Sequence, residues 1–189
     1  MKIIFLRHGK TNSNKEKCFS TAKTQIIEEG YEDLDKAKNN LKTYNFKEVY
    51  TSKLLRSKQT AEYLGFTSFK EDSRLNEMDF GDFKGKNIEK CLLEYRNLYK
   101  KIKEDPFSSK YPNGESRIDV INRLSSFMEE KSKLDYDILC ISHGIAIRSS
   151  LFYVLKDLSN FDSFWLDNGS LTVFDLKENK KIIECVNLI

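Results

Sequence analysis

Two short apolar runs, Ile3-Ile4-Phe5-Leu6 and Ile138-Leu139-Cys140-Ile141, constrain this chain most. Each leads within two residues to a histidine followed by glycine, through Arg7-His8-Gly9 and Ser142-His143-Gly144, and these are the only two histidines present. Runs of that length read as buried strands, and the glycine lets the backbone turn sharply or approach a ligand closely. In an open α/β sheet, ligands bind outside the carboxyl ends of the strands. Two strand-end histidines in such a sheet share one crevice, which points to an active site rather than to two scattered core residues.

The rest of the pattern fits that sheet. Strands are expected at Lys2–Leu6, Glu48–Thr51, Ser68–Glu71 and Asp137–Ile141, with a closing hairpin of Ser170–Leu176 and Lys181–Val186. Between them, helical spacing is expected at Glu28–Tyr44, Leu54–Leu64, Asn87–Lys103, Glu115–Lys131 and Ile145–Leu155. Alternation of this kind predicts a three-layer α/β/α sandwich with a mostly parallel sheet. Right-handed crossovers then bring Arg7-His8, Arg56, Glu77 and His143 to one edge.

A chain of 189 residues is expected to form one domain, residues 1–189. The apolar fraction of 39% excludes a disordered chain, and a net charge of +3 from mixed acids and bases gives no reason to propose nucleic acid as a partner. No apolar run is long enough for a signal peptide or a membrane span, so a cytoplasmic protein without membrane association is expected. The four cysteines are widely spaced and expected to be reduced. Cys140-x-x-His143 has no second ligand cluster, so no metal site is expected.

Arg7 supplies a planar fork suited to phosphate oxygens. The imidazole of His8 can attack phosphorus and divide one difficult displacement into two easier ones. Backbone N–H groups around Gly9 and a following helix start can hold anionic oxygens. Arg56 falls on the first turn of a helix, a poor place for a cation unless an anion sits beside it. Loss of an alcohol needs an acid for the leaving oxygen and then a base for water; Glu77 can serve, with Asp79 and Asp82 as rivals on spacing alone. A carboxyl beside phosphate holds its proton more tightly. His143, when protonated, adds charge that stabilises the transferring group.

Six motifs in order resemble the histidine phosphatase superfamily, also called phosphoglycerate mutase-like. They are Leu6-Arg7-His8-Gly9 with Thr11 and Asn14; Ser52 to Ala61, including Leu54, Arg56, Ser57, Gln59 and Thr60; Leu75 to Gly81 with Gly85; Asn113-Gly114-Glu115-Ser116; Ser142-His143-Gly144; and Asn168-Gly169-Ser170. The resemblance implies a phosphate pocket of Arg7, His8, Arg56 and His143, with Gly9, Asn14 and Gly144 at the substrate. It also implies His8 as the phosphorylated nucleophile, Glu77 as proton donor, and no metal or other cofactor, because arginines supply the positive charge. Lys10 departs from the family pattern, and so does Gln25-Ile26-Ile27, where a loop often touches substrate. Asp33-Leu34 departs as well, in what reads as packing.

Within the family, mutases carry a tryptophan where Ser13 stands and Arg-His where Met78-Asp79 stand. A carboxylate-bearing substrate would lose cations there and face Asp79. A phosphomonoesterase acting on a small phosphorylated metabolite is therefore the favoured reading. A phosphoglycerate mutase and a weakly catalytic phospho-ligand binding module are the alternatives. A helical cap is expected at about residues 87–113, carrying Tyr95, Arg96, Tyr99 and several lysines.

Overall fold

A computed structural model describes residues 1–157 and 159–189. The sheet is built from β1 (Lys2–Arg7), β2 (Phe46–Thr51), β3 (Lys70–Glu71), β4 (Asp137–Ser142), β5 (Leu171–Lys177) and β6 (Lys180–Leu188). Its order is β3-β2-β4-β1-β5-β6. The first four strands in that order run parallel, β5 pairs antiparallel with β1, and β6 pairs antiparallel with β5 at the edge. The expected mostly parallel α/β/α sandwich is what forms.

Alternation along the strands makes the two helix layers. Ile3 and Phe5 of β1, with Ile138 and Cys140 of β4, face a core that also holds Leu124 and Phe127 of α6 (Arg117–Lys131) and Ile147 of α7 (Gly144–Ser150). Ile4, Leu6, Leu139 and Ile141 face the opposite way, onto Leu34 and Leu41 of α2 (Glu28–Leu41) and Ala61 of α3 (Leu55–Tyr63). Both faces of β1 and β4 are covered, which is why those runs are apolar without a break.

A smaller cluster of Phe19, Phe83 and Cys91, with Tyr95, Tyr99 and Tyr111 packed on it, joins the first core through Phe80 and Tyr111. The segment expected as one helix over Asn87–Lys103 is two, α4 (Ile88–Glu94) and α5 (Arg96–Glu104). The chain leaves helical geometry at Tyr95 (φ −109°, ψ 42°), whose ring packs on Phe83 with centroids 4.7 Å apart. The segment Ile145–Leu155 is likewise divided, into α7 and α8 (Phe152–Leu155). The expected third strand shrinks to β3, and α2 stops at Leu41. Among the described residues no helix is long and apolar enough to cross a membrane.

Candidate active site

The strand register sets the two histidines side by side. Arg7 of β1 pairs with Ser142 of β4, so His8 and His143 are the next residues on neighbouring strands. The His8 N–H donates to the Ser142 carbonyl at 3.0 Å, and the rings lie 4.9 Å apart. Thr51 of β2 pairs with Ile141, which places Ser52 beside the same end of β4. Ser52 Oγ lies 2.7 Å from His143 Nε2.

The geometry fixes which ring nitrogen of His8 carries the hydrogen. Its Nδ1 is 2.7 Å from the Gly9 carbonyl, which can only accept, so Nδ1 carries the hydrogen. Nε2 therefore holds the lone pair, and Arg56 Nε donates to it at 3.1 Å. Burial, reinforced by the Arg56 and Arg7 cations, pushes the His8 pKa well below its usual value. His8 is thus neutral, with Nε2 facing a cationic group.

Arg56 is 2% exposed, far from the solvated surface position its helix-start location suggests by default. Its Nη1 donates to the Thr21 carbonyl at 3.0 Å, and burial lowers its pKa to about 10, which leaves it charged at neutral pH. Arg7 donates through Nη1 to the Leu166 carbonyl. Gly144 lies against this guanidinium, where a Cβ would sit in ordinary contact 3.4 Å from Arg7 Nε. Arg7 Nε and His143 Nδ1 are both buried without a protein partner among the described residues. Burial, then Arg56 and the other nearby cations, also pushes the His143 pKa well down.

Glu77 is the carboxylate that faces the arginines, being the acid whose field acts on both Arg7 and Arg56. Its carboxylate accepts N–H bonds from Met78 (2.9 Å), Ile145 (3.3 Å) and Ala146 (3.2 Å), which orient it at the start of α7. Of its rivals, Asp82 is bound to Asn113 Nδ2 at 3.0 Å and does not line the cleft. Asp79 does line it, paired with Lys84 at 2.9 Å.

Gly9 and Asn14, expected at the substrate, each have a polar group held by the protein itself, and the Gln25–Ile27 departure is a matter of packing. Gly9 gives its own N–H to Thr60 Oγ1 at 3.2 Å rather than to an anion. A Cβ on Gly9 would lie 2.8 Å from the Gly30 carbonyl, so the residue lets α2 close on β1. Asn14 turns Oδ1 back to the Thr11 N–H at 3.0 Å, in a capping box that starts a one-turn helix, α1 (Asn12–Lys15). The Gln25–Ile27 segment is a packed strap, with Ile26 in the core, its N–H on Gln59 Oε1, and the Ile27 N–H on the Lys10 carbonyl. Lys10 itself lies where Glu29 and Asp33 feel its charge.

Other residues complete the site, and sequence reasoning assigned them no role. The Asn168-Gly169-Ser170 turn clasps the backbone of Arg7 and His8, with Asn168 Nδ2 on the His8 carbonyl (2.9 Å) and the Gly169 N–H on that of Arg7 (3.0 Å). Arg123 of α6 pairs with both oxygens of Glu115 (2.8 and 3.0 Å) and donates to the carbonyls of Arg74 (2.6 Å) and Glu77 (3.2 Å). Glu115 in turn accepts the Asp79 N–H at 2.9 Å. This clamp ties the acid-bearing segment to α6. The cleft, about 440 Å³, is lined by Ser20, Thr21, Leu54, Arg56, Glu77 and Met78 among others. Among the described residues none of α4 or α5 lines it.

Residues 3–189 match the model of the histidine phosphatase superfamily (branch 1), and the chain belongs to that family. It is 28% identical over 196 residues to phosphoserine phosphatase 1 of Hydrogenobacter thermophilus, covering 100% of this chain and 92% of that protein. It is 27% identical to 2,3-bisphosphoglycerate-dependent phosphoglycerate mutase 2 of Bacteroides thetaiotaomicron, over 96% of this chain and 89% of that one. In fold it is similar to the alpha-ribazole phosphatase of Shigella flexneri, with a TM-score of 0.88, 23% identity and coverage of 99% of this chain and 96% of that one.

Proposed function

We propose that this chain hydrolyses phosphate monoesters of a small metabolite through a phosphohistidine on His8. The observation that carries the reading is the His8 Nε2 lone pair held against Arg56 Nε, beside the unpartnered buried Arg7 Nε and His143 Nδ1. Buried donors and charges of that kind are costly alone and are matched by a phosphoryl group. Its oxygens take the guanidinium hydrogens of Arg7 and Arg56. His143 takes up a proton as the anion arrives, so that Nδ1–H faces the anion while Nε2–H rests on Ser52.

In the first half-reaction the Nε2 lone pair forms the N–P bond, and the P–O bond to the alcohol breaks. Protonated Glu77 gives its proton to the leaving oxygen. In the second, the Glu77 carboxylate takes a proton from water as that water attacks phosphorus. The N–P bond breaks, its electron pair returns to Nε2, and phosphate leaves. The arginines stabilise the charge on the transferring group throughout. Met78 is buried and Asp79 is an anion that already holds Lys84 at 2.9 Å, so a phosphoglycerate carboxylate meets no unpaired cation there, which favours hydrolysis over a mutase reaction.

The test is phosphate release, in chelator and without added metal, from p-nitrophenyl phosphate, sugar phosphates, nucleotides and 3-phosphoglycerate. The same panel is run with His8→Ala. Turnover and an acid-labile phosphoenzyme in the wild type, both absent from the folded variant, are expected. Retained turnover in the variant would refute the nucleophile.

A further inference from the structure

The cleft is lined by three cations, Arg56, Lys84 and Arg123, and three carboxylates, Glu77, Asp79 and Glu115. Arg56 and Glu77 belong to the phosphoryl group and the leaving oxygen. Arg123 and Glu115 are closed on each other, with side chains only 17% and 25% exposed and further hydrogen bonds to the backbone. That leaves Asp79 and Lys84, whose side chains are 46% and 44% exposed. An ion pair so open to water contributes little on its own, so a charged ligand can replace either partner.

The two partners differ in stiffness. Asp79 is gripped through its main chain, its N–H on Glu115 Oε2 (2.9 Å) and its carbonyl accepting the Glu115 N–H (2.8 Å). Its carboxylate also accepts the Gly81 N–H at 2.6 Å. Lys84 reaches the pair through a flexible four-carbon stem and can swing. A fixed anion beside a movable cation is a receptor for a ligand that carries both charges.

We infer that Asp79 and Lys84 are the specificity pair of this cleft, selecting phosphate esters whose alcohol bears both an ammonium and a carboxylate group. On binding, the pair opens, Asp79 accepts from the substrate ammonium, and Lys84 donates to the substrate carboxylate. The charge count is unchanged, so neither group is left unpaired. An ester with a carboxylate alone meets repulsion from Asp79, and one with an ammonium alone leaves Lys84 without a partner. Ala22, Leu54 and Met78 add apolar lining to the same cleft.

This inference rests on the phosphatase reading, and its test separates the two. kcat/KM is measured for O-phosphoserine, phosphoethanolamine, 3-phosphoglycerate and p-nitrophenyl phosphate, in the wild type, Asp79→Asn and Lys84→Met. Phosphoserine is expected to exceed both singly charged analogues by roughly tenfold, the scale of one charge-assisted contact. Asp79→Asn is expected to lower the ratio of phosphoserine to p-nitrophenyl phosphate by about tenfold and to raise 3-phosphoglycerate relative to phosphoserine. Lys84→Met is expected to shrink the gap between phosphoserine and phosphoethanolamine. An unchanged ranking in both variants, or an equal fall for every ester, would overturn the inference. Should the wild type turn over no ester, the phosphatase reading fails. The pair is then judged by calorimetric binding of phosphoserine, where equal affinity for wild type and Asp79→Asn overturns it.

Discussion

Replacing Arg123 by methionine keeps the stem of the side chain and removes the guanidinium. Glu115 then keeps a carboxylate that is three-quarters buried, with the Asp79 N–H still bonded to it, and the carbonyls of Arg74 and Glu77 each lose a charged donor. Breaking a buried ion pair from one side costs about 3–5 kcal/mol. The residual exposure here places the expected loss near the lower end, about 3 kcal/mol. For a chain of 189 residues that lowers Tm by roughly 6–12 °C. Glu115→Gln retains an acceptor for the Asp79 N–H, so it should cost less, about 1–2 kcal/mol. The double variant should lose less than the sum, because the pair no longer leaves an uncompensated charge. Urea and thermal unfolding of the four proteins give the cycle. Activity gives a second readout. Arg123 donates to the Glu77 carbonyl, so its loss loosens the acid while leaving His8 and Arg56 in place. Turnover of alkyl phosphates, which need a proton on the leaving oxygen, should fall more than that of p-nitrophenyl phosphate. A loss under about 1 kcal/mol, or equal slowing of both esters, would refute the clamp as a positioning device.

Glu77→Gln should show the same leaving-group bias more strongly, and equal loss for good and poor leaving groups would move the acid role to Asp79. The folded-state pKa values of His8 and His143 are held well below 6.5, chiefly by burial, while unfolded imidazoles titrate near it. The unfolded chain therefore binds more protons as pH falls below about 6.5, and stability should drop by up to about 1.4 kcal/mol per pH unit for each histidine until its folded pKa is reached. Urea unfolding between pH 6.5 and 5 measures this; inorganic phosphate should flatten the slope, and a slope unaltered in His143→Gln would count against it. Gly81→Ala should destabilise by more than ~3 kcal/mol, because φ is +54° and a Cβ would sit 1.8 Å from the Pro112 carbonyl. Gly65→Ala, at φ +91° with open space around it, should cost only about 1–2 kcal/mol, so equal melting points for these two variants would contradict the packing described.

Much of the site was legible because strand register does most of the positioning. Arg7-His8 and Ser142-His143 each end an apolar run, and two such runs pairing in parallel can only set the histidines together. Arg56 and Glu77 follow the ends of β2 and β3 within a few residues, so the same sheet edge collects them. The helix boundaries were less legible at Tyr95, where a continuous apolar stripe hides a break that only the ring's contact with Phe83 explains.

What the sequence could not show is how each polar atom is partnered. Gly9 and Asn14 lie beside the nucleophile and look like anion ligands. The Gly9 N–H and Asn14 Oδ1 are held by Thr60 and Thr11, because the chain after β1 must turn, cap a one-turn helix and admit α2 within a few residues. Arg123 is the opposite case: it sits among apolar residues of α6, 46 positions from the Glu77 carbonyl it anchors. No local spacing reports such a contact, since it arises only when α6 packs on the sheet and brings its guanidinium under the acid-bearing turn. The proposed chemistry at phosphorus is therefore written in short motifs at the strand ends. The precision of the acid, and the shape of the wall it shares with Asp79, are set by a helix whose sequence reads as ordinary core.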